Sequence, residues 1–167
     1  SGLANGLGNL WHRLASMIEK YFEGKVPECS SQALQAPVAQ KALNLWGEVA
    51  QLMSVYDMRE AIARMWAVIT EANQYVEEKK PWALAKDPAK RQELADALYV
   101  LAEAVAHIAV LLQAFMPATA EKILSRLKVS GYQKIQNSKD FEKPLLRAGD
   151  VIEKGEPLFP RLEEKKL

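Results

Sequence analysis

The sequence predicts an all-α fold, an antiparallel bundle of about five main helices followed by an extended carboxyl-terminal tail. Three observations carry this reading. Apolar residues recur at three- and four-residue spacing through most of the 167 residues, which places them on single faces of helices. No apolar/polar alternation runs for more than a few residues, so no half-buried strand is expected. Short connections between the periodic segments favour antiparallel neighbours. An apolar content of 49% is ordinary for a globular core, and the length suits one domain. The expected division is a helical domain over 1–149 and an extended tail over 150–167 that packs back on the bundle.

The first helix runs from Leu3 to Phe22, with Leu3, Leu7, Leu10, Leu14, Met17, Ile18 and Tyr21 on one face. At about 100° per residue, Asn9 and Arg13 stack one turn apart on a polar stripe roughly 100° from the centre of that face. Taken alone, such a pair marks an ordinary solvated surface. The segment from Gly24 to Pro37 mixes Gly, Pro, Ser and Gln and reads as a loop, with Pro37 suited to a helix first turn. The second helix, from about Val38 to Ser54, is expected to bury Leu43, Trp46, Val49, Ala50 and Met53. Asp57 has the chemistry of an N-cap, with Glu60 completing a box-like pair.

The third helix runs from Met58 to about Lys79 and aims Ile62, Met65, Ile69, Ala72 and Val76 inwards. Its last turns, EANQYVEEKKPW, end at Pro81, which cannot donate a backbone hydrogen bond and drives Lys80 out of helical geometry. Trp82 therefore lies just past a corner, either as a wedge buried between helices or as a platform for a nucleic acid base. Asp87 and Pro88 start the longest apolar helix, from about Ala89 to Ala114. Its many alanines allow close approach of neighbours, which puts it at the centre of the bundle. Met116 and Pro117 end it, and a fifth helix carries Ile123, Leu124 and Leu127. Beyond Ser130 and Gly131 the pattern weakens. Leu158 and Phe159, between two prolines, need a surface to cover them.

Composition narrows the function. A net charge of +1 argues against binding nucleic acid through a general basic field, so any such contact must be local. Residues 117–149 form a mildly basic end, with seven basic side chains against three acidic ones, equally readable as a solvated face or a phosphate-facing one. The single cysteine, Cys29, excludes an internal disulfide and a zinc cluster and fits a reducing, cytoplasmic setting. No secretory signal is read at the amino terminus. The apolar run Leu94–Met116 is interrupted by Asp96, Glu103, His107 and Gln113, so it reads as a buried helix, and no membrane partner is expected. His12 and His107 are read as isolated, structural histidines, with no metal-ligand set around either. The glycines of NGLGNLW do not make a nucleotide-binding turn, and no serine elbow or phosphate loop occurs. No catalytic residue and no metal ligand is assigned.

Three stretches bear a resemblance to a known family. ANQYVEEKKPWALAKD, LANGLGNLWHRLASMIEKYF near the amino terminus and GEPLFPRLE near the carboxyl terminus are similar, in kind and order, to the anticodon-binding region of methionyl-tRNA synthetases. The resemblance implies the helical domain of a class I synthetase, whose function is recognition of the CAU anticodon of methionine tRNA. It implies that Trp82 stacks on the first anticodon base, a cytosine, and that Asn9 and Arg13 read that base. Asn73 and Tyr75 are weaker candidates, explained as well by helix-end hydrogen bonding and packing. The parent enzymes join methionine to tRNA with ATP and magnesium on a domain carrying HIGH-like and KMSKS-like sequences. Neither sequence is present in this chain, so it is expected to be inactive alone and to need no cofactor of its own. The implied partners are methionine tRNA and the parent's catalytic body, with a separate tRNA-binding subunit also conceivable and DNA not expected. Two alternatives stay open: the anticodon domain of another class I synthetase, for leucine, isoleucine, valine or cysteine, or a helical module that docks a protein.

Overall fold

In the computed structural model, which describes residues 2–128 and 138–158, seven α-helices form a bundle centred on one apolar rod. That rod is α5 (Arg91–Leu112), in which every residue from Leu94 to Leu112 except Asp96 and Val110 is buried. It is long and apolar enough to cross a membrane, yet other helices of the chain cover it. The helices α1 (Gly2–Phe22), α2 (Pro37–Ser54), α3 (Met58–Lys79) and α6 (Pro117–Leu127) all pack against it. Two four-residue helices, α4 (Pro81–Leu84) and α7 (Ser138–Phe141), and 3-10 turns at Ala33–Gln35 and Pro88–Lys90 complete the order. Extended pairing among the described residues is confined to one antiparallel bridge, Lys25 to Val151.

The helix ends follow local chemistry. Pro37 and Pro117 occupy first turns, where a missing N–H is no loss. Asp57 caps α3 by accepting from the Glu60 amide at 3.0 Å. The box is only half made, because the Glu60 carboxylate pairs with Arg64 at 3.0 Å and the Asp57 amide goes to the Leu52 carbonyl. Asp87 accepts from Ala89 at 3.0 Å and opens the 3-10 turn ahead of α5.

Consecutive helices α2 and α3 run antiparallel, as Lys41 bonding Glu71 at 2.6 Å requires. α1 and α3 instead run in the same direction, since Gly6 meets Trp66 and Ile69 while Arg13 meets Glu77. This parallel pair frames the candidate site. The buried face of α1 is as expected at Leu3, Leu7, Leu10, Leu14 and Ile18, whereas Met17 and Tyr21 are half-buried. Trp11 lies fully inside, with no partner for its indole N–H among the described residues. Two faces are rotated from expectation. α2 buries Val38, Ala39, Ala42, Leu45 and Val49, leaving Leu43, Trp46 and Met53 half-buried and Ala50 exposed. In α3 Ile62 is exposed, and Ala61 and Val68 take inward places beside Met65, Ile69, Ala72 and Val76.

His107 is not isolated. Glu103 lies one turn earlier on the same face, and its carboxylate is 3.3 Å from His107 Nδ1, both side chains being fully buried. The Leu145 and Leu146 amides donate to Glu103 at 3.0 and 2.8 Å, and Tyr99 donates at 3.1 Å. The His107 Nε2 atom lies 3.1 and 3.2 Å from the carbonyls of Phe141 and Lys143. Burial pushes the Glu103 carboxyl up, against the opposing pull of His107 and the two amides. Three polar residues of the central helix thus hold the segment after α7 on the bundle, and Phe141 completes the contact by packing on Trp46 and His107.

Residues 149–153 return to the loop after α1. The amides of Gly149, Val26 and Ile152 donate to the carbonyls of Val26, Asp150 and Gly24 respectively, each at 2.8 Å, and the Glu153 amide donates to the Arg126 carbonyl at 2.8 Å. Leu158 is buried. The expectations for Phe159, for the rest of the GEPLFPRLE stretch beyond it, and for Ser130, Gly131 and Lys134 lie outside the described residues.

Candidate nucleic-acid interface

The corner after α3 is built by its backbone. Lys80 adopts φ 48° and ψ 64°, the left-handed region that a non-glycine residue enters only under constraint. Its amide still closes α3 on the Val76 carbonyl at 3.0 Å, and its carbonyl opens α4 by accepting from Ala83 and Leu84 at 2.8 and 3.2 Å. Pro81 and Leu84, three residues apart, point inwards and are buried. Trp82, about 100° around the short helix from Pro81, is turned outwards and is 39% exposed. The two apolar anchors of α4 hold the corner down and leave the Trp82 indole at the surface, whereas Trp11 is the tryptophan buried inside the bundle.

Asn9 is exposed on α1. Arg13, one turn on, is half-buried against α3, where its Nη2 donates to the Glu77 carboxylate at 2.5 Å. This partner is unforeseen by periodicity within α1, because it comes from a helix 64 residues away. Asn73 lines the same groove as Arg13, its amide nitrogen donating to the Ile69 carbonyl at 3.1 Å. Tyr75 is on another side of α3. Burial and the Asp96 and Glu93 carboxylates push its hydroxyl up to about 12, so it stays neutral, with the Lys79 ammonium 5.8 Å from the ring centre. Arg13 and Asn73 thus share a groove, while Tyr75 belongs to the packing between α3 and the start of α5.

The groove between α1 and α3 is open and about 680 Å³, within the range of small-molecule sites. Gly6, Arg13, Trp66, Thr70, Asn73, Gln74, Glu77 and Glu78 line it. From Glu77 to Trp82 the path is less than one helical turn plus two residues, so the indole's backbone lies within about 12 Å of the Arg13 ion pair's acceptor residue. Trp66 and Glu77 went unassigned in the sequence. The available signal was their spacing: positions 66, 70, 73, 74 and 77 recur at three and four residues on a stripe beside the apolar one.

A family model described as the anticodon binding domain of methionyl tRNA ligase matches residues 25–167. Helix α1, with Asn9 and Arg13, precedes the matched residues. Whole-chain similarity covers it. A methionine–tRNA ligase of Caldanaerobacter subterraneus subsp. tengcongensis is 38% identical over 167 residues, which is 99% of this chain and 26% of the relative. That of Clostridium acetobutylicum is 36% identical over 169 residues, 100% of this chain and 26% of the relative. Among solved structures, the apo form of Mycobacterium tuberculosis methionyl-tRNA synthetase superposes with a TM-score of 0.85 at 31% identity, covering 96% of this chain and 32% of that one. The chain spans about a quarter of the length of the curated relatives it matches. A helical bundle around one apolar rod, an outward tryptophan behind a proline corner and agreement with both sequences and structures lead to one assignment: the chain belongs to the family of methionyl-tRNA ligase anticodon-binding domains.

Proposed function

We propose that this chain reads the CAU anticodon of methionine tRNA, as the anticodon-binding part of a methionine–tRNA ligase that joins methionine to its tRNA at the expense of ATP elsewhere in the parent. The tRNA and the parent's catalytic body are then its partners, and the cytoplasm is its place of work. The observation that carries the reading is Trp82, a large aromatic side chain held outwards by a buried proline and a strained residue. Sequence-specific RNA recognition targets unpaired bases that stack on such a ring and are hydrogen-bonded along their edges.

In this mechanism the first anticodon base, cytosine, stacks on Trp82. Arg13 donates to the base's ring nitrogen and carbonyl, and Asn9 accepts from its exocyclic amine. The Glu77 carboxylate takes one guanidinium nitrogen, fixing the fork before RNA arrives, so less side-chain freedom is lost on binding. Asn73 offers an acceptor farther along the groove. Residues 150–167 are proposed as an extended tail that packs back on the bundle and takes no part in reading the base.

The test compares stem-loops bearing CAU and single-base variants against the wild-type chain and Trp82→Ala. Removing a stacking aromatic costs about 1 to 3 kcal/mol per base, so affinity for CAU should fall about five- to hundredfold, with the preference for cytosine reduced and the helical circular dichroism retained. Equal affinity and equal selectivity without the indole would overturn the assignment.

A further inference from the structure

We infer that Trp66 is a second base-stacking platform, which holds an unpaired base of the same RNA loop other than the one on Trp82; the inference rests on the anticodon-binding reading above. Trp66 is 41% exposed although its helix neighbours Met65 and Ile69 are buried. Its ring lies directly on the backbone of α1. A Cβ at Gly6 would sit 2.8 Å from Trp66 Cζ3, and one at Gly2 would sit 3.6 Å from Cη2. Two glycines therefore make room on α1 for the Cζ3–Cη2 edge of the indole.

What surrounds the ring decides the kind of ligand. Thr70, Asn73, Gln74 and Glu77 share its stripe on α3, and Arg13 faces them from α1. One guanidinium against the Glu77 and Glu78 carboxylates leaves the groove mildly negative, which disfavours a phosphate inside it. An aromatic ring, two amides and a hydroxyl are instead the chemistry that takes a base: stacking on the ring, with the amides offering the paired donor and acceptor that match a base edge. The axial rise from Trp66 to the Lys80 corner is about 21 Å. Stacked neighbours in one strand are about 3.4 Å apart, so a single base cannot serve both tryptophans. The loop must therefore splay at least two bases to fill both platforms.

The experiment measures binding of the CAU stem-loop, and of copies made abasic at each unpaired position in turn, to wild type, Trp66→Ala, Trp66→Phe and Gly6→Ala. Trp66→Ala is expected to lose about five- to hundredfold in affinity, and Trp66→Phe less. Gly6→Ala keeps the indole but pushes its Cζ3 edge away from α1, and is expected to weaken binding as well. One abasic position, different from the first anticodon base, should weaken binding to wild type and leave binding to Trp66→Ala unchanged. Should Trp66→Ala reduce the helical signal, the comparison of Trp66→Phe with Gly6→Ala across the abasic series carries the same decision. Unchanged affinity in these variants, or a loss that is equal at every abasic position, would overturn the second platform while Trp82→Ala still reduces the preference for the cytosine of CAU. A wild-type chain that binds all anticodons alike would overturn the anticodon reading itself and this inference with it.

Discussion

Replacing Glu103 with alanine should loosen the chain where the central helix grips the segment after α7. The carboxylate is 1% exposed and accepts from the Leu145 and Leu146 amides and from Tyr99. After truncation Tyr99 keeps a second acceptor, the Leu146 carbonyl at 3.0 Å, and His107 Nδ1 keeps the Glu103 carbonyl at 2.8 Å. The two backbone amides keep nothing of the kind. A buried donor left without a partner costs about 1 to 3 kcal/mol, so the two together come to about 2 to 6 kcal/mol. About 3 kcal/mol is the expected loss, a large share of the roughly 5 to 15 kcal/mol that holds a domain together. Urea unfolding followed by circular dichroism measures it, and amide exchange should quicken about a hundredfold at Leu145 and Leu146 while α2 and α3 change less. Glu103→Gln, which retains one acceptor oxygen but presents an NH2 group to an amide, should fall between the two. A loss below about 1 kcal/mol with unaltered exchange at Leu145 and Leu146 would show that the carboxylate is not what anchors this segment.

Two other consequences are equally direct. Arg13→Gln removes an ion pair whose side chains are 36% and 62% exposed, worth about 0 to 1 kcal/mol, so thermal unfolding should be nearly unchanged while discrimination among anticodons falls; a collapsed bundle would make Arg13 a structural residue. Asp96 ties the loop after α1 to α5. Partial burial alone would raise its carboxyl, but the Ser30 hydroxyl and amide at 2.6 and 2.7 Å, then Gln92 at 2.9 Å, and the Lys79 charge hold it below its ordinary value. A carboxyl depressed on folding contributes stability above its ordinary value of 3.8 and loses it as pH falls through the lower folded value. Asp96→Asn should therefore cost about 1 to 2 kcal/mol at neutral pH and flatten the acid side of the stability profile, as urea titrations at a series of pH values would reveal.

How far the chain could be read before folding differs from one element to the next. The boundaries of α3, the proline starts of α2 and α6, the Asp57 and Asp87 caps and the break at Lys80 and Pro81 all depend on groups within four residues of one another. The central place of α5 follows from an apolar run too continuous to leave any face in water. Rotation was less legible. α2 is apolar over a wide arc, so its period alone does not say which part meets α5, and the bundle chose the side with Ala39, Ala42 and Leu45 over the one with Leu43, Trp46 and Ala50. Glu103 and His107 were visible as interruptions of an apolar run, but their partners, Leu145 and Leu146 on one side and Phe141 and Lys143 on the other, come from a segment some forty residues away.

The same division runs through the candidate site. Linear sequence determined that a proline would end α3 and that an indole would follow it, because peptide geometry at X–Pro is a local matter. It also determined that Asn9 and Arg13 share a stripe, because helical pitch is fixed. Only the tertiary structure decided that Pro81 and Leu84 would be the anchors and Trp82 the exposed side chain, that Arg13 would meet Glu77, and that the edge of Trp66 would meet two glycines. Those outcomes depend on which helix lies beside which, and the parallel setting of α1 against α3 is fixed by how both cover α5, a property of the whole core that no short window of residues contains.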